Sequence, residues 1–220
     1  HPIAFAMTFL RRLALLVLAA TPTLAGAQTA TPPRDSIARL PGMSIIGTPK
    51  DLNTIPGGAQ VLGRATLERA RVSSTNEALR KIAGVHVRDE EGLGLRPNIG
   101  IRGLNPTRST KTLLLEDGIP ITLAPYGDNS AYYHPPVSRM ERIEVLKGAG
   151  SILHGPQTVG GVINYITPGL PVESGATLRF TGGNNGLVNG YLRGAAVNGD
   201  VGAMVDLGRW RAEGARENVS

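Results

Sequence analysis

The sequence predicts an α+β chain, in which a small mixed α/β domain is followed by amphipathic antiparallel strands of the kind that line a transmembrane barrel. Three observations point there. Helix and strand signals interleave between residues 51 and 168. After Pro171 the pattern changes to strict alternation of apolar with small or polar residues. Glycine is abundant, at 29 of 220 residues, against three Phe and one Trp, which suits tight turns and closely packed sheets better than a helical bundle. With 41% hydrophobic residues, the chain has enough apolar side chains to bury a core.

The N-terminus reads as an export signal. Arg11 and Arg12 precede the apolar block Leu13 to Ala20, and Ala25-Gly26-Ala27 supplies small residues at a cleavage site. That block falls short of the roughly 20 residues needed to span a bilayer. Residues 1–27 are therefore expected to be upstream residues and a cleaved signal, the mature chain starting near Gln28. Without Arg11 and Arg12 the formal charge falls from +6 to +4, and the remaining basic residues are scattered among acids, so no nucleic-acid partner is expected. The absence of cysteine excludes disulfides and thiol chemistry.

Residues 28–41 are polar and Pro-rich, a flexible lead. Met43-Ser44-Ile45-Ile46-Gly47 is an apolar island, bounded by Pro41-Gly42 and Thr48-Pro49. It is either a segment that adds to another protein's sheet edge or the first strand of the domain behind it. Ser74-Thr75-Asn76-Glu77 reads as a capping box, followed by an apolar face of Ala78, Leu79 and Ile82, with Gly84 as the stop. Val85-His86-Val87 and Ile99-Gly100-Ile101 are strands. Asp117-Gly118 between Leu113-Leu114-Leu115 and Ile119-Pro120-Ile121 is a two-residue hairpin turn, both positions requiring positive φ. Arg142 to Leu146 and Val162 to Ile166 are further strands.

Beyond Pro171, Leu178 and Phe180 alternate with Thr177 and Arg179; Val188 and Leu192 with Asn189 and Arg193; and Val205 and Leu207 with Asp206 and Gly208. Gly183 to Gly186 and Asn198-Gly199-Asp200 are turns. A soluble antiparallel sheet gives the same alternation. Three membrane strands cannot close a barrel, and an open edge is not tolerated in lipid, so residues 172–220 are expected to be a truncated beginning.

No catalytic constellation is present, and the chain is not expected to be an enzyme. Lys147 to Gly161 lacks both the phosphate-loop pattern and the dinucleotide-binding spacing. His1, His86, His134 and His154 are isolated, no Ser sits in a Gly-x-Ser-x-Gly elbow, and Asp89-Glu90-Glu91 reads as a solvated turn.

Ile101-Arg102-Gly103, Leu115-Glu116-Asp117-Gly118, Arg142-Ile143-Glu144-Val145-Leu146-Lys147-Gly148 and Gly160-Gly161-Val162-Ile163-Asn164, in this order, resemble the N-terminal part of TonB-dependent outer-membrane receptors. Asn98 to Pro106, Asp117 to Pro120, Ala124-Pro125-Tyr126-Gly127 and Gly155 to Val162 look like the ferric dicitrate receptor branch. The resemblance implies a plug domain over residues 51–171, within residues 28–50 a TonB box at Met43, Ser44, Ile45, Ile46 and Gly47, and from residue 172 the first strands of a lipid-embedded barrel. It implies import of an iron chelate, driven when TonB captures the box by strand addition. No permanent cofactor and no directly bound metal are expected. Only about 15 residues separate Gln28 from Met43, so the periplasmic signalling domain of some members is not expected.

A citrate-like polyanion calls for Arg, amide and hydroxyl donors, and Asn105, Arg108, Thr122, Tyr126 and Gln157 are the candidates on the plug. Gln157 is expected at the tip of its loop. Arg102, Gly103, Asp117, Gly118, Glu144, Gly160 and Gly161 are expected to be structural, with Arg102 paired to Glu141 or Glu144. Two other readings stay open: the same machine for another siderophore or cobalamin, and a secreted soluble β-rich binding protein.

Overall fold

The computed structural model describes residues 44–47, 52, 54–90, 94–122, 130–155, 157–184 and 186–213, all within the unit Pro41–Ser220. The expected signal and lead, Met43, Glu91, Tyr126 and Pro156 lie outside the described residues.

The centre is a mixed sheet of five strands in the order β1-β6-β7-β4-β5: β1 Ala59–Gly63, β4 Thr112–Glu116, β5 Ile119–Pro120, β6 Arg142–Lys147 and β7 Gly161–Ile166. β4 and β7 run parallel; the other pairs are antiparallel. β7 is the middle strand and every residue in it is buried, the polar Asn164 included. A two-stranded ladder, β2 Val85–Val87 with β3 Ile99–Ile101, packs beside it.

The period of two along the strands gives the sheet two covered faces. On one, Leu114, Ile143, Val145, Ile163 and Tyr165 meet Leu67 of helix α1 (Arg64–Arg69) and Ala78 and Leu79 of helix α2 (Thr75–Leu79), together with Ile99 and Ile101. On the other, Leu113, Leu115, Leu146 and Val162 meet Ile46, with Ile45, Leu52 and Ile55 around it.

The hairpin turn is as its sequence requires, with Asp117 at φ 49° and Gly118 at φ 82°. The Asp117 carboxylate accepts from the Thr167 amide (2.8 Å) and hydroxyl (2.6 Å), and the Gly118 amide donates to Asn164 Oδ1 (3.0 Å), so the turn is tied to the end of β7. The glycine density has a steric reason: a Cβ on Gly161 would stand 2.4 Å from the Leu146 carbonyl oxygen, and one on Gly160 would stand 2.8 Å from that of Lys111.

Two local expectations are corrected. Ser74 Oγ does cap the Glu77 amide (3.2 Å), but the Glu77 carboxylate reaches Ser73, accepting from its amide (2.8 Å) and hydroxyl (2.9 Å), rather than Ser74. Helix α2 ends at Leu79, and Gly84, at φ 74°, closes the irregular turns that follow rather than the helix.

Residues 175–211 form an open antiparallel meander of β8 Gly175–Gly182, β9 Val188–Asn198 and β10 Val201–Arg211. Register places Leu178, Leu192 and Leu207 in one cross-strand row, and Thr177, Arg193 and Asp206 in another on the opposite face. The leucine row is exposed, as are Phe180 and Val205. The other face is partly covered, Tyr191 being 4% exposed and Arg179, Arg193, Met204 and Asp206 half-buried, while Thr177 and Thr181 stay exposed. Among the described residues no helix is long and apolar enough to cross a membrane.

Candidate functional site

The segment Ser44–Gly47 lies against the mixed sheet, bent rather than extended. Gly47 has φ 70°, the Ile46 amide donates to Ser44 Oγ (3.3 Å), and that hydroxyl is 3.0 Å from the Gly47 carbonyl. The segment is not a first strand of the domain, the reading the sequence left open beside strand addition to another protein. Ile46 is buried in the second core cluster. The segment is tied to Glu144 in mid-β6: Ser44 Oγ donates to Oε1 (2.9 Å) and the Ile45 amide to Oε2 (2.9 Å). Arg142 Nε donates to the same Oε1 at 2.8 Å, and Glu144 is 1% exposed.

Arg102 does not pair with Glu141 or Glu144. It sits at φ 55° in the turn after β3, followed by Gly103 at φ 82°, and its Nη2 donates to the Gly57 carbonyl oxygen at 2.6 Å. The left-handed turn aims it at backbone on the far side of β6, whereas Glu144 is held from its own strand by Arg142. Nearby, Lys147 Nζ donates to the Ala83 carbonyl (2.8 Å), and partial burial, with Arg102 beside it, lowers the ammonium's pKa.

A polar cleft of about 340 Å³ opens at the N-terminal end of β4, lined by Arg88, Glu90, Asn98, Thr107, Arg108 and Ser130 among others. The turn Asn105–Ser109 builds one wall: Asn105 Oδ1 accepts from the Thr107 amide (3.0 Å) and hydroxyl (2.8 Å), and the Arg108 amide donates to Asn98 Oδ1 (2.8 Å). The Arg108 guanidinium lies over the Tyr132 ring, 5.3 Å from its centroid. Arg88 reaches in from the end of β2, donating to Thr107 Oγ1 at 3.3 Å. Glu90 is engaged by Arg96 (3.5 Å) and Asn98 (3.2 Å), so the cleft keeps a cationic balance suited to carboxylate or other oxyanion ligands.

Of the sequence candidates, Asn105 and Arg108 thus meet at one wall. Gln157 is exposed on the loop entering β7 at the same end of the sheet, since Thr112 and Gly161 pair and the Gly160 amide donates to the Lys111 carbonyl. Thr122 is half-buried after β5, beyond the Ile121 amide that bonds to Leu114, and lines none of this cleft. Sequence reasoning missed Arg88, Thr107, Ser130 and Tyr132, which come from separate segments. Asp89, expected in a solvated turn, instead binds Arg80 (2.7 Å) and Asn76 (3.0 Å). Among the described residues no group of three His, Asp or Glu side chains could hold a metal ion. His134 is buried, its Nε2 3.3 Å from the Gly94 carbonyl and its ring edge-on to Tyr165.

The meander meets the mixed-sheet domain through its polar face. Arg179 pairs with Glu68 of α1 at 3.1 Å, and Arg64 holds the same carboxylate at 2.8 Å. These contacts, the Arg64 hydrogen bond foremost, lower the Glu68 pKa. Behind them Arg193 and Asp206 pair at 2.6 Å, with the Tyr191 hydroxyl donating to Asp206.

The TonB-dependent Receptor Plug Domain family matches residues 51–162. The vitamin B12 transporter BtuB of Vibrio vulnificus (strain CMCP6) is 32% identical over 125 residues, 57% of this chain and 20% of that protein. The crystal structure of the ferric citrate transporter FecA in its unliganded form matches with a TM-score of 0.61 at 26% identity, over 75% of this chain and 27% of that one. The siderophore receptor PiuA from Acinetobacter baumannii matches with a TM-score of 0.58 at 25% identity, over 74% of this chain and 22% of its own. The chain therefore spans a fifth to about a quarter of the length of these relatives.

Proposed function

This chain belongs to the TonB-dependent receptor plug domain family, and from that premise we propose that it serves in an outer-membrane receptor importing a ferric chelate of the citrate kind. Residues 51–171 are the plug, residues from 172 onward begin the barrel wall, and residues 43–47 are the box that TonB captures by strand addition. The iron is cargo held within its chelate, not a resident cofactor, and lipid is the partner of the outer wall.

The observation that carries this reading is the two-faced meander. Its leucine row points out to where lipid would lie, while Arg179, Tyr191 and Arg193 face the mixed-sheet domain. In a membrane barrel the apolar band faces outward and the lumen side is polar. A soluble sheet packed on this domain would turn its leucines inward, which disfavours the secreted binding protein. The arginine-lined cleft supports a polyanionic cargo, and the likeness to the ferric citrate transporter favours citrate among such chelates.

A second cargo has an observation of its own. The vitamin B12 transporter relative favours cobalamin. Uptake by the cell that makes the protein, compared among ferric citrate, other ferric siderophores and cobalamin, tests the assignment. Loss of ferric citrate uptake alone on deletion of the gene is expected; loss of cobalamin uptake alone would overturn the cargo. Recovery of the protein from the soluble periplasm would overturn the importer itself.

A further inference from the structure

We infer that Glu144 is the positioning residue for the coupling segment, a buried carboxylate that latches residues 44–46 onto the plug and sets how readily TonB can capture them. This rests on the proposal that residues 43–47 are the TonB box.

A carboxylate placed in the middle of a sheet face is costly unless it is fully hydrogen-bonded. Around Glu144 that face carries the apolar cluster of Leu113, Leu115, Leu146 and Val162, with Arg142 on its own strand and the buried Asn164 directly across in β7. The side chain is 1% exposed and accepts from Arg142 of its own strand, and from Ser44 Oγ and the Ile45 amide of the segment. The two bonds from the segment leave when the segment leaves. Ile46 leaves with them, out of a site where it is 5% exposed. The carboxylate keeps Arg142 but loses the donors the segment supplied, which opposes release.

The latched form is also incompatible with strand addition. An added strand must offer its amides and carbonyls to the partner's edge in extended conformation. Here the Ile45 amide is taken by Glu144, the Ile46 amide by Ser44 Oγ, and Gly47 turns the chain at φ 70°. Capture thus requires undocking first, and the apparent affinity for TonB is its intrinsic affinity multiplied by the undocked fraction. Glu144 sets that fraction through bonds at its own two oxygens. A rearrangement of β6 that shifts the carboxylate would free the segment without touching it.

Residues 1–220 hold no cysteine, so with any cysteine elsewhere in the full-length receptor replaced by serine, a nitroxide on Thr48→Cys reports on the segment alone. Glu144→Gln keeps the side-chain shape but loses the charge that both segment donors and Arg142 share. The expected result is an increase of about tenfold in the mobile fraction of the label, and a comparable gain in affinity for the isolated periplasmic domain of TonB. Ser44→Ala, on the segment rather than in the core, keeps the test open if Glu144→Gln fails to fold; it is expected to release the label in part. A label equally immobile in wild type and both variants would overturn the latch. A freed label in a protein that binds no TonB domain, variant or wild type, supports the latch and overturns the coupling assignment on which it was built.

Discussion

Leu192 of β9 sits in register with Leu207 of β10, and both side chains lie in the open, at 41% and 59% exposure, on the face opposite Arg193 and Asp206. In water such a row is a liability; against hydrocarbon it is the contact that holds the wall in place. Leu192→Arg is therefore expected to lower the stability of the full-length receptor in lipid vesicles by about 2–4 kcal/mol, read from reversible denaturant unfolding. Equal or greater stability in the variant would mean the leucine row faces water.

Gly161 is the first residue of the central strand and has φ 148°, with the Leu146 carbonyl where a Cβ would stand. β6 cannot yield there, because its other edge is held by β1. Gly161→Ala is expected to destabilise the plug by roughly 2–4 kcal/mol, from the backbone conformation and the overpacking together. Chemical denaturation of the full-length receptor measures it, and a cost under about 0.5 kcal/mol would show that the strands can separate locally.

Asp117 does two things at once, adopting φ 49° in the hairpin turn and accepting both hydrogen bonds of Thr167 at the end of β7. Asp117→Gly relieves the first demand and removes the second; Asp117→Asn keeps the turn and one acceptor oxygen. Glycine is expected to cost about 1.5–3 kcal/mol and asparagine less, the order being set by the charged acceptor and not by the turn. The reverse order in measured unfolding midpoints would refute that division.

What the sequence made legible is what neighbouring residues decide. The Asp117-Gly118 turn, the buried run of β7 and the alternation beyond Pro171 each rest on a few consecutive residues, and each is present in the structure. Partners across the fold were not legible. Arg102 finds Gly57, 45 residues away, because a left-handed turn redirects it; Glu144 finds Ser44 and Ile45, 100 and 99 residues away, because an apolar Ile46 pulls the segment onto the sheet. Charge pairing read from residue types alone could anticipate neither. In the polar cleft, Asn105 and Arg108 share a turn and could be read together, whereas Arg88, Ser130 and Tyr132 join them only through the folded chain.

Glu68 gives a pH signature with a definite sign. Its folded pKa lies below the ordinary 4.5, chiefly through the Arg64 hydrogen bond, with Arg179 contributing. A carboxylate lowered by folding adds stability above its unfolded pKa and loses it as pH falls through the lowered value. The contact between α1 and β8 is thus expected to weaken below about pH 4.5. Glu68→Gln should flatten the acid limb of the stability profile; an unchanged limb would mean the pair contributes nothing there.

Arg108 and Arg88 line one cleft, and their roles separate by what else each holds. Arg88 donates to Thr107 Oγ1 and so steadies the turn, while the Arg108 guanidinium stacks on Tyr132 and lines the cleft. If the cleft receives the carboxylates of a ferric chelate, Arg108→Ala removes a charge-assisted contact to the cargo itself. Such a contact is worth about 1.5–3 kcal/mol, so the dissociation constant for ferric citrate should rise about tenfold or more. Maximal uptake at saturating cargo should hold, because the coupling segment and Glu144 lie elsewhere on the sheet. Arg88→Ala should act more weakly, through a looser turn, and the double variant should cost less than the sum of the two because they share Thr107 and its neighbours. Titration of cargo against the purified receptor and its three variants decides the matter. An Arg108→Ala protein that binds ferric citrate as tightly as wild type would remove the cleft from the cargo path, leaving its arginines to order the turn.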